Sequence, residues 1–130
     1  MADYLFTYGT LRLNQSQPII DFLSKSATLV GLAVISKAQL YKNDWYPVLV
    51  ETNNESDEVV GDLYELNHES ALQIIDEYEG IGIGDMPYEY RRNKVKVKTE
   101  QEELETWVYF YNKDLPKGAV LIGSGDFLNP

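Results

Sequence analysis

The residues best suited to bind and activate a small molecule lie where the first apolar run of the chain, residues 4–8, breaks into a turn. They are Tyr8, Gly9, Thr10, Leu11 and Arg12. A strand that ends in a glycine turn leaves backbone N–H groups unpaired, and these groups can face the carboxylate or the developing oxyanion of a ligand. The segment therefore predicts an anion-binding loop, and an ordinary turn remains the simpler interpretation of the same local sequence.

A second candidate group lies in the helix predicted over residues 68–79, which Gly80 would end. The apolar stripe of this helix consists of Ala71, Leu72, Ile74, Ile75 and Tyr78. At about 100° per residue, Glu79 falls about 20° from Leu72, inside the stripe. Glu77 falls on the wet face and Asp76 at the margin.

The position of Glu79 favours proton exchange. Partial burial and the negative end of the helix dipole both favour the protonated carboxyl, so Glu79 is a candidate general base or acid. A side chain that extends past the helix end, or that pairs with Arg91 or Arg92, fits the helix geometry equally well. Residues 80–84, in which three glycines alternate with isoleucine, predict a flexible loop that can close beside Glu79.

Composition excludes several other chemistries. The chain has no cysteine, which excludes thiol catalysis, disulfides and zinc–thiolate sites. Its one histidine, His68, sits at a helix start, so acid–base chemistry is expected from carboxylates or tyrosines. The formal net charge of −10 argues against nucleic acids and anionic membrane surfaces as partners.

The length of 130 residues and the hydrophobic content of 44% indicate a single domain over residues 1–130. The first residues lack the basic and apolar regions of a signal peptide, and no apolar run approaches the ~18–20 residues that span a bilayer. We therefore expect a cytoplasmic protein.

Periodicity predicts about six strands and two helices. The strands are expected at residues 3–8, 28–42 with a bulge at Gly31, 46–51, 58–66, 94–98 and 106–111, and the helices at 15–25 and 68–79. The strand at 94–98 alternates lysine with valine, which predicts one wet face, and residues 101–103 are expected to join it as a hairpin to the continuously apolar, aromatic strand at 106–111. The tail, residues 123–127, is expected to be irregular. This order is not a regular βαβ alternation, so it indicates an α+β domain whose mixed, strongly curved sheet can close as a barrel.

Five motifs, in order along nearly the whole chain, resemble those of the γ-glutamylcyclotransferase-like family, which includes γ-glutamylamine cyclotransferase. They are the Y-G-T-L-R segment at 8–12, the helix ending in D-x-x-E-G at 76–80, the Y-x-R strand at 90–92, W-V-Y at 107–109 and S-G-D-aromatic at 124–127. The resemblance implies a small, mixed six-stranded β-barrel with flanking helices.

The resemblance also implies a reaction of the cyclising acyl-transfer, amidine-lyase class, with no metal or cofactor. The α-amine of a small-molecule γ-glutamyl substrate attacks its own γ-carbonyl, which forms 5-oxoproline and releases an amine or amino acid. Glu79 would move the protons, and the loop from Tyr8 to Leu11 would bind the carboxylate or oxyanion. Tyr109 or Tyr111 would line the pocket or donate a phenolic hydrogen bond, with core packing as the alternative.

Two other functions remain open from the sequence. One is a non-catalytic module on the same fold that binds a small molecule or a partner. The other is a hydrolase with two carboxylates, for which Asp76 is the best second acid. The leaving group of the γ-glutamyl substrate and the oligomeric state are also left open.

Overall fold

Eight strands and one helix form the part of the chain that the computed structural model describes, residues 3–8, 25–43, 46–67, 70–78, 90–115 and 117–127. The elements in chain order are β1 (Asp3–Thr7), β2 (Ala27–Ser36), β3 (Ala38–Asn43), β4 (Tyr46–Glu51), β5 (Glu58–Leu66), α1 (Ser70–Tyr78), β6 (Tyr90–Lys98), β7 (Glu103–Tyr111) and β8 (Val120–Leu121). The α+β class with a mixed sheet is confirmed.

The strands form two sheets. Five of them are hydrogen-bonded in the closed order β1-β5-β2-β6-β7, and a separate three-stranded sheet has the order β4-β3-β8. Most neighbours are antiparallel, but β1 and β7 meet in parallel, with Leu5 opposite Trp107. The predicted count of six strands is therefore wrong: the described residues contain eight, five in the closed sheet and three beside it.

The predicted strand 28–42 is two strands. The register of β2 against β5 shifts between Leu29 and Gly31, where Gly31 has a φ of 144°, so the predicted bulge is present. Lys37 then adopts a φ of 60° and separates β2 from β3. A single residue in the left-handed region turns the chain, and this turn sends β3 into the second sheet.

Alternate residues of the strands contribute to two groups of buried side chains, because successive side chains of a strand point to opposite faces. One group contains Phe6, Leu63 and Phe110 and extends to the three-stranded sheet. The other contains Leu5, Tyr64 and Tyr109 together with the buried residues of α1, which are Ala71, Leu72 and Ile75.

The helix α1 therefore packs on the sheet through a stripe that the sequence predicts in part. Ala71 and Ile75 are completely buried and Leu72 nearly so, whereas Ile74 is 42% exposed, so its assignment to the stripe is wrong. Among the helix residues whose burial the structure describes, the stripe therefore consists of Ala71, Leu72 and Ile75.

β6 and β7 form the hairpin predicted from the alternating lysines and the aromatic run. Arg92 lies opposite Tyr109, and Lys94 opposite Trp107. Lys94, Lys96 and Lys98 are exposed, which confirms the predicted wet face. The same face of β6 is buried at Tyr90, which belongs to the group of buried residues beneath α1.

Several predicted features lie outside the described residues. They are residues 1–2, most of the predicted helix 15–25 (only Lys25, which is helical, is described), the loop 80–84 and the ends of the helix 68–79 at residues 68, 69 and 79. Among the helices described, none is long and apolar enough to cross a membrane.

Candidate functional site

The end of β1, the last turns of α1 and the hairpin β6–β7 meet at Tyr109: Tyr8 contacts its backbone carbonyl, and Asp76 contacts its phenol. Tyr8 follows β1 directly, and Asp76 lies near the end of α1. Arg92 and Tyr109 are cross-strand partners, so their side chains stand on the same face of the hairpin. Four segments that are distant in sequence thus contribute to one cluster.

Hydrogen bonds connect these segments in series. The Tyr8 hydroxyl donates to the backbone carbonyl of Tyr109. The Tyr109 hydroxyl donates to Asp76 Oδ1 at 2.6 Å, and Asp76 Oδ2 pairs with Arg92 Nη1 at 2.8 Å. The series joins the end of β1 to the end of α1 through Tyr109 of β7.

The surroundings of the Asp76–Arg92 pair strengthen it. The two side chains are only 17% and 25% exposed, so water screens the pair less than it screens a surface pair. The guanidinium of Arg92 lies 4.6 Å from the ring centroid of Trp107, and Lys94 Nζ lies 5.1 Å from the same centroid. Stacking of this kind restricts the guanidinium to one orientation.

The indole of Trp107 adds a polar atom to this region. Its Nε1 is buried and has no hydrogen-bond partner in the part of the chain that the structure describes. An indole nitrogen can only donate, so any partner must supply an acceptor.

This arrangement limits what each group can do chemically. The Tyr109 hydroxyl donates a hydrogen bond to Asp76 Oδ1. Both oxygens of Asp76 are engaged, one by a phenol and one by a guanidinium. Asp76 therefore acts as a link between helix and sheet, and a second role as a free acid would require it to leave these partners.

Two predicted site residues, Tyr8 and Tyr109, are joined by the hydrogen bond from the Tyr8 hydroxyl to the Tyr109 backbone carbonyl, and their rings pack in the two different buried groups. Their exposed fractions are 8% and 2%, so both rings are part of the interior. Tyr111 lies edge-to-face against Tyr90, with ring centroids 5.9 Å apart, and packs against the buried group beneath α1. The remaining predicted site residues, which are Gly9, Thr10, Leu11 and Glu79, lie outside the described residues.

The two arginines considered as partners for Glu79 both have other partners. Arg91, on the face of the hairpin opposite Arg92, pairs with Glu51 and lies over the ring of Phe110. Arg92 pairs with Asp76. Sequence reasoning did not find the link between Asp76, Tyr109 and Arg92. The register that places Arg92 opposite Tyr109 depends on the exact residues of the hairpin turn, and these lie at 99–102 rather than at the predicted 101–103.

A separate cleft of about 280 Å³ lies between β3 and the segment 121–125, with Asp57 and Glu58 on its lining. No predicted site residue borders it. Among the residues that the structure describes, no group of three or more His, Asp or Glu side chains is arranged to hold a metal ion.

Comparison with protein families matches residues 5–129 to the family described as Gamma-glutamyl cyclotransferase, AIG2-like. Among solved structures, protein YtfP from Escherichia coli is similar at 28% identity and a TM-score of 0.70, over 97% of this chain and 96% of that one. Protein PH0828 from Pyrococcus horikoshii is similar at 26% identity and a TM-score of 0.67, over 96% and 89% of the two chains.

An AIG2-like protein from Mus musculus has 22% identity and a TM-score of 0.72, over 89% of this chain and 81% of that one. At this identity the likeness shows the fold alone. Curated protein sequences give no significant match.

Proposed function

Because the chain belongs to the Gamma-glutamyl cyclotransferase, AIG2-like family, we propose that it converts a γ-glutamyl amine or γ-glutamyl amino acid to 5-oxoproline and the free amine. Membership of the family supports a cyclotransferase-type reaction on a small molecule. In this reaction Glu79 moves the protons, and the backbone from Tyr8 to Leu11 binds the substrate's carboxylate or the oxyanion.

The proposed reaction needs one group that both accepts and returns a proton. Glu79 takes a proton from the α-ammonium of the substrate, and the freed amine attacks the γ-carbonyl carbon. The N–C bond forms, and the carbonyl oxygen becomes an oxyanion that backbone N–H groups stabilise. The intermediate then collapses, the γ-carbon–nitrogen bond breaks, and Glu79 returns its proton to the leaving nitrogen, which departs as the neutral amine. The ring nitrogen loses its second proton to the Glu79 carboxylate, and that proton passes on to the released amine, which leaves 5-oxoproline neutral at the ring nitrogen.

The observation that carries the proposal is the connection from Tyr8 through Tyr109 to Asp76. Tyr8 directly precedes Gly9 in the sequence, and Asp76 lies three residues before Glu79. The hydrogen bonds Tyr8–Tyr109 and Tyr109–Asp76 hold these two anchor residues against the same strand. A binding loop and a base that start from neighbouring anchors suit a reaction in which one molecule must be folded onto itself.

The packing of α1 supports the helical phase used for Glu79. Ala71, Leu72 and Ile75 are the buried residues of the helix, and position 79 falls between Leu72 and Ile75 on the helical wheel. Because Ile74 is exposed and drops out of the predicted stripe, the centre of the stripe on the helical wheel moves toward position 79. Tyr109, which lies below the end of α1, is proposed to form the floor of the substrate pocket.

The contacts of Asp76 weigh against the hydrolase alternative. A two-carboxylate hydrolase needs a second acid that can exchange a proton or attack the substrate. Asp76 was the best candidate, and its two oxygens are held by Tyr109 and Arg92. The cyclotransferase reaction requires only one carboxyl group that exchanges protons, so it does not need Asp76 as a second acid.

The test is a panel of γ-glutamyl compounds offered to the purified protein, with 5-oxoproline and free amine measured by mass spectrometry. The panel contains γ-glutamyl amino acids, γ-glutamyl-ε-lysine and a γ-glutamyl polyamine. We expect stoichiometric 5-oxoproline and amine from at least one of them. Free glutamate in place of 5-oxoproline would indicate a hydrolase, and binding without turnover would indicate a non-catalytic module.

The same assay tests Glu79. We expect Glu79→Gln to lower the rate on the order of 10²–10⁴-fold at an unchanged thermal midpoint, because the reaction loses its general base. Glu77→Gln is the matched control, since it removes the same charge from the predicted wet face of the same helix. Activity of Glu79→Gln within threefold of the wild type would remove Glu79 from the mechanism, and an equal loss in Glu77→Gln would mean that the helical phase is wrong.

A further inference from the structure

We infer that Asp76, held between Tyr109 and Arg92, is a positioning residue that fixes the last turn of α1 and thereby the carboxyl of Glu79. This inference rests on the proposed function, because it assigns Asp76 a role through Glu79. It adds Asp76 and Arg92 to the machinery as groups that do not touch the substrate.

The end of α1 requires an external support. The helix has nine residues, and no basic side chain lies in its last turn to offset the dipole. A helix this short is marginal without tertiary contacts. Its apolar contacts are made by Ala71, Leu72 and Ile75, and the contact that follows them along the helix is that of Asp76.

Asp76 is fixed at two points on two neighbouring strands. Oδ1 accepts a hydrogen bond of 2.6 Å from Tyr109 on β7, and Oδ2 lies 2.8 Å from Nη1 of Arg92 on β6. Because Arg92 and Tyr109 are cross-strand partners, the two donors have a fixed spacing that matches one carboxylate. Two contacts on one carboxylate restrict its rotation as well as its distance from the sheet.

Both donors are themselves held in place. Tyr109 is 2% exposed, and the guanidinium of Arg92 lies 4.6 Å above Trp107. Glu79 is three residues after Asp76 in the sequence, so the position of Asp76 limits where Glu79 can lie. A displacement of about 1 Å in a reacting group can cost about 10² in rate, so loss of either contact should appear in the chemical step.

The hairpin provides a matched control pair. Arg91, the neighbour of Arg92 on β6, pairs with Glu51 and lies 4.9 Å above the ring of Phe110. Like Arg92, Arg91 forms an ion pair with a carboxylate and lies over an aromatic ring. Because side chains alternate along a strand, the Arg91 side chain lies on the face of the hairpin opposite α1. A general effect of removing an arginine from β6 should therefore appear equally at Arg91.

The experiment compares Asp76→Asn, Arg92→Gln and the double variant with Arg91→Gln, using the substrate that the wild type turns over best. We expect the first two variants to lower kcat on the order of 10–100-fold and to leave KM within threefold. The double variant should lose little more than the worse single variant, because both act through one contact. Arg92→Lys should recover part of the loss, and Arg91→Gln should stay within twofold of the wild type.

Three outcomes overturn the inference. They are full kcat in Asp76→Asn, equal losses at Arg91 and Arg92, or additive losses in the double variant. Each variant is assayed well below its thermal midpoint so that loss of folded protein is excluded, and Arg92→Lys gives a reading if Asp76→Asn does not fold. A wild type that forms no 5-oxoproline would instead refute the proposed function, and the inference with it, whereas an active wild type with insensitive variants refutes only the inference.

Discussion

Substitution of Gly61 by alanine should displace the end of β1, where the proposed binding loop begins. A Cβ atom at Gly61 would lie 2.2 Å from the backbone oxygen of Thr7 and 2.6 Å from Cζ of Phe6. Phe6 is 1% exposed and its ring has no free space to enter, and the Thr7 oxygen belongs to the strand itself. The clash can be relieved only if β1 and β5 separate, by about 1 Å for an ordinary carbon–oxygen contact.

The size of the effect follows from these contacts. Overpacking of this kind costs about 1–3 kcal/mol, and a weakened hydrogen bond between the strands adds about 1 kcal/mol. The better strand propensity of alanine returns about 0.5–1 kcal/mol, so we expect a net loss of about 2 kcal/mol. At about 2.1 cal/mol/K of unfolding entropy per residue, a chain of 130 residues should lose about 7 °C in thermal midpoint.

The assay is thermal and urea unfolding of Gly61→Ala and of Gly118→Ala as the matched control. A Cβ atom at Gly118 meets nothing within 4 Å, so that variant should unfold at the wild-type temperature or up to about 1 kcal/mol more stably. With an active enzyme, Gly61→Ala should also raise KM, because Tyr8 follows the displaced oxygen of Thr7. A midpoint for Gly61→Ala within 2 °C of the wild type would refute the close approach of the strands, as would an equal loss at Gly118.

Two further predictions concern the loop and the phenol. Gly9→Val should harm substrate binding or turnover more than stability, because a branched side chain restricts the backbone and occupies space near the ligand. Thr10→Ala should be milder, because the backbone N–H groups remain. Thermal midpoints and 5-oxoproline formation are measured on both variants, and the reverse pattern would make the loop a structural turn. Tyr109→Phe should lower the free energy of unfolding by about 1–2 kcal/mol, since it removes the hydrogen bond to the Asp76 carboxylate. The control Tyr41→Phe loses a local hydrogen bond to Gln39 and should change the free energy of unfolding by less than about 0.5 kcal/mol. Equal effects of the two variants in urea unfolding would contradict this prediction.

Local pattern is sufficient to predict most of the strands. The strand Glu58–Leu66 has the predicted bounds, and the alternating lysines of β6 and the aromatic run of β7 pair as expected. The division at Lys37 was missed because lysine has no preference for a positive φ, so its sequence carries no sign of the turn. The number of strands was wrong for this reason and because the short β8 pairs with β3 from an irregular tail.

Prediction of the site depends on contacts that cross the sheet. The helical wheel identifies Asp76 as marginal and assigns Ile74 to the buried stripe, because a wheel has no information on what the helix packs against. Asp76 is engaged because Tyr109 and Arg92 stand opposite each other below it, whereas Ile74 is 42% exposed. These are facts of register and packing, which residue types alone do not encode.

The parallel seam between β1 and β7 is the feature that joins fold and function. Tyr8 and Tyr109 are 101 residues apart, and their hydrogen bond forms across the seam at which Leu5 lies opposite Trp107. In an open sheet with the same strands, β1 would pair with β5 alone, and Tyr8 would lie at an edge far from Tyr109. Closure therefore does more than remove exposed edges. It brings the strand that precedes the proposed binding loop against the strand that, through Asp76, supports the helix of the proposed base.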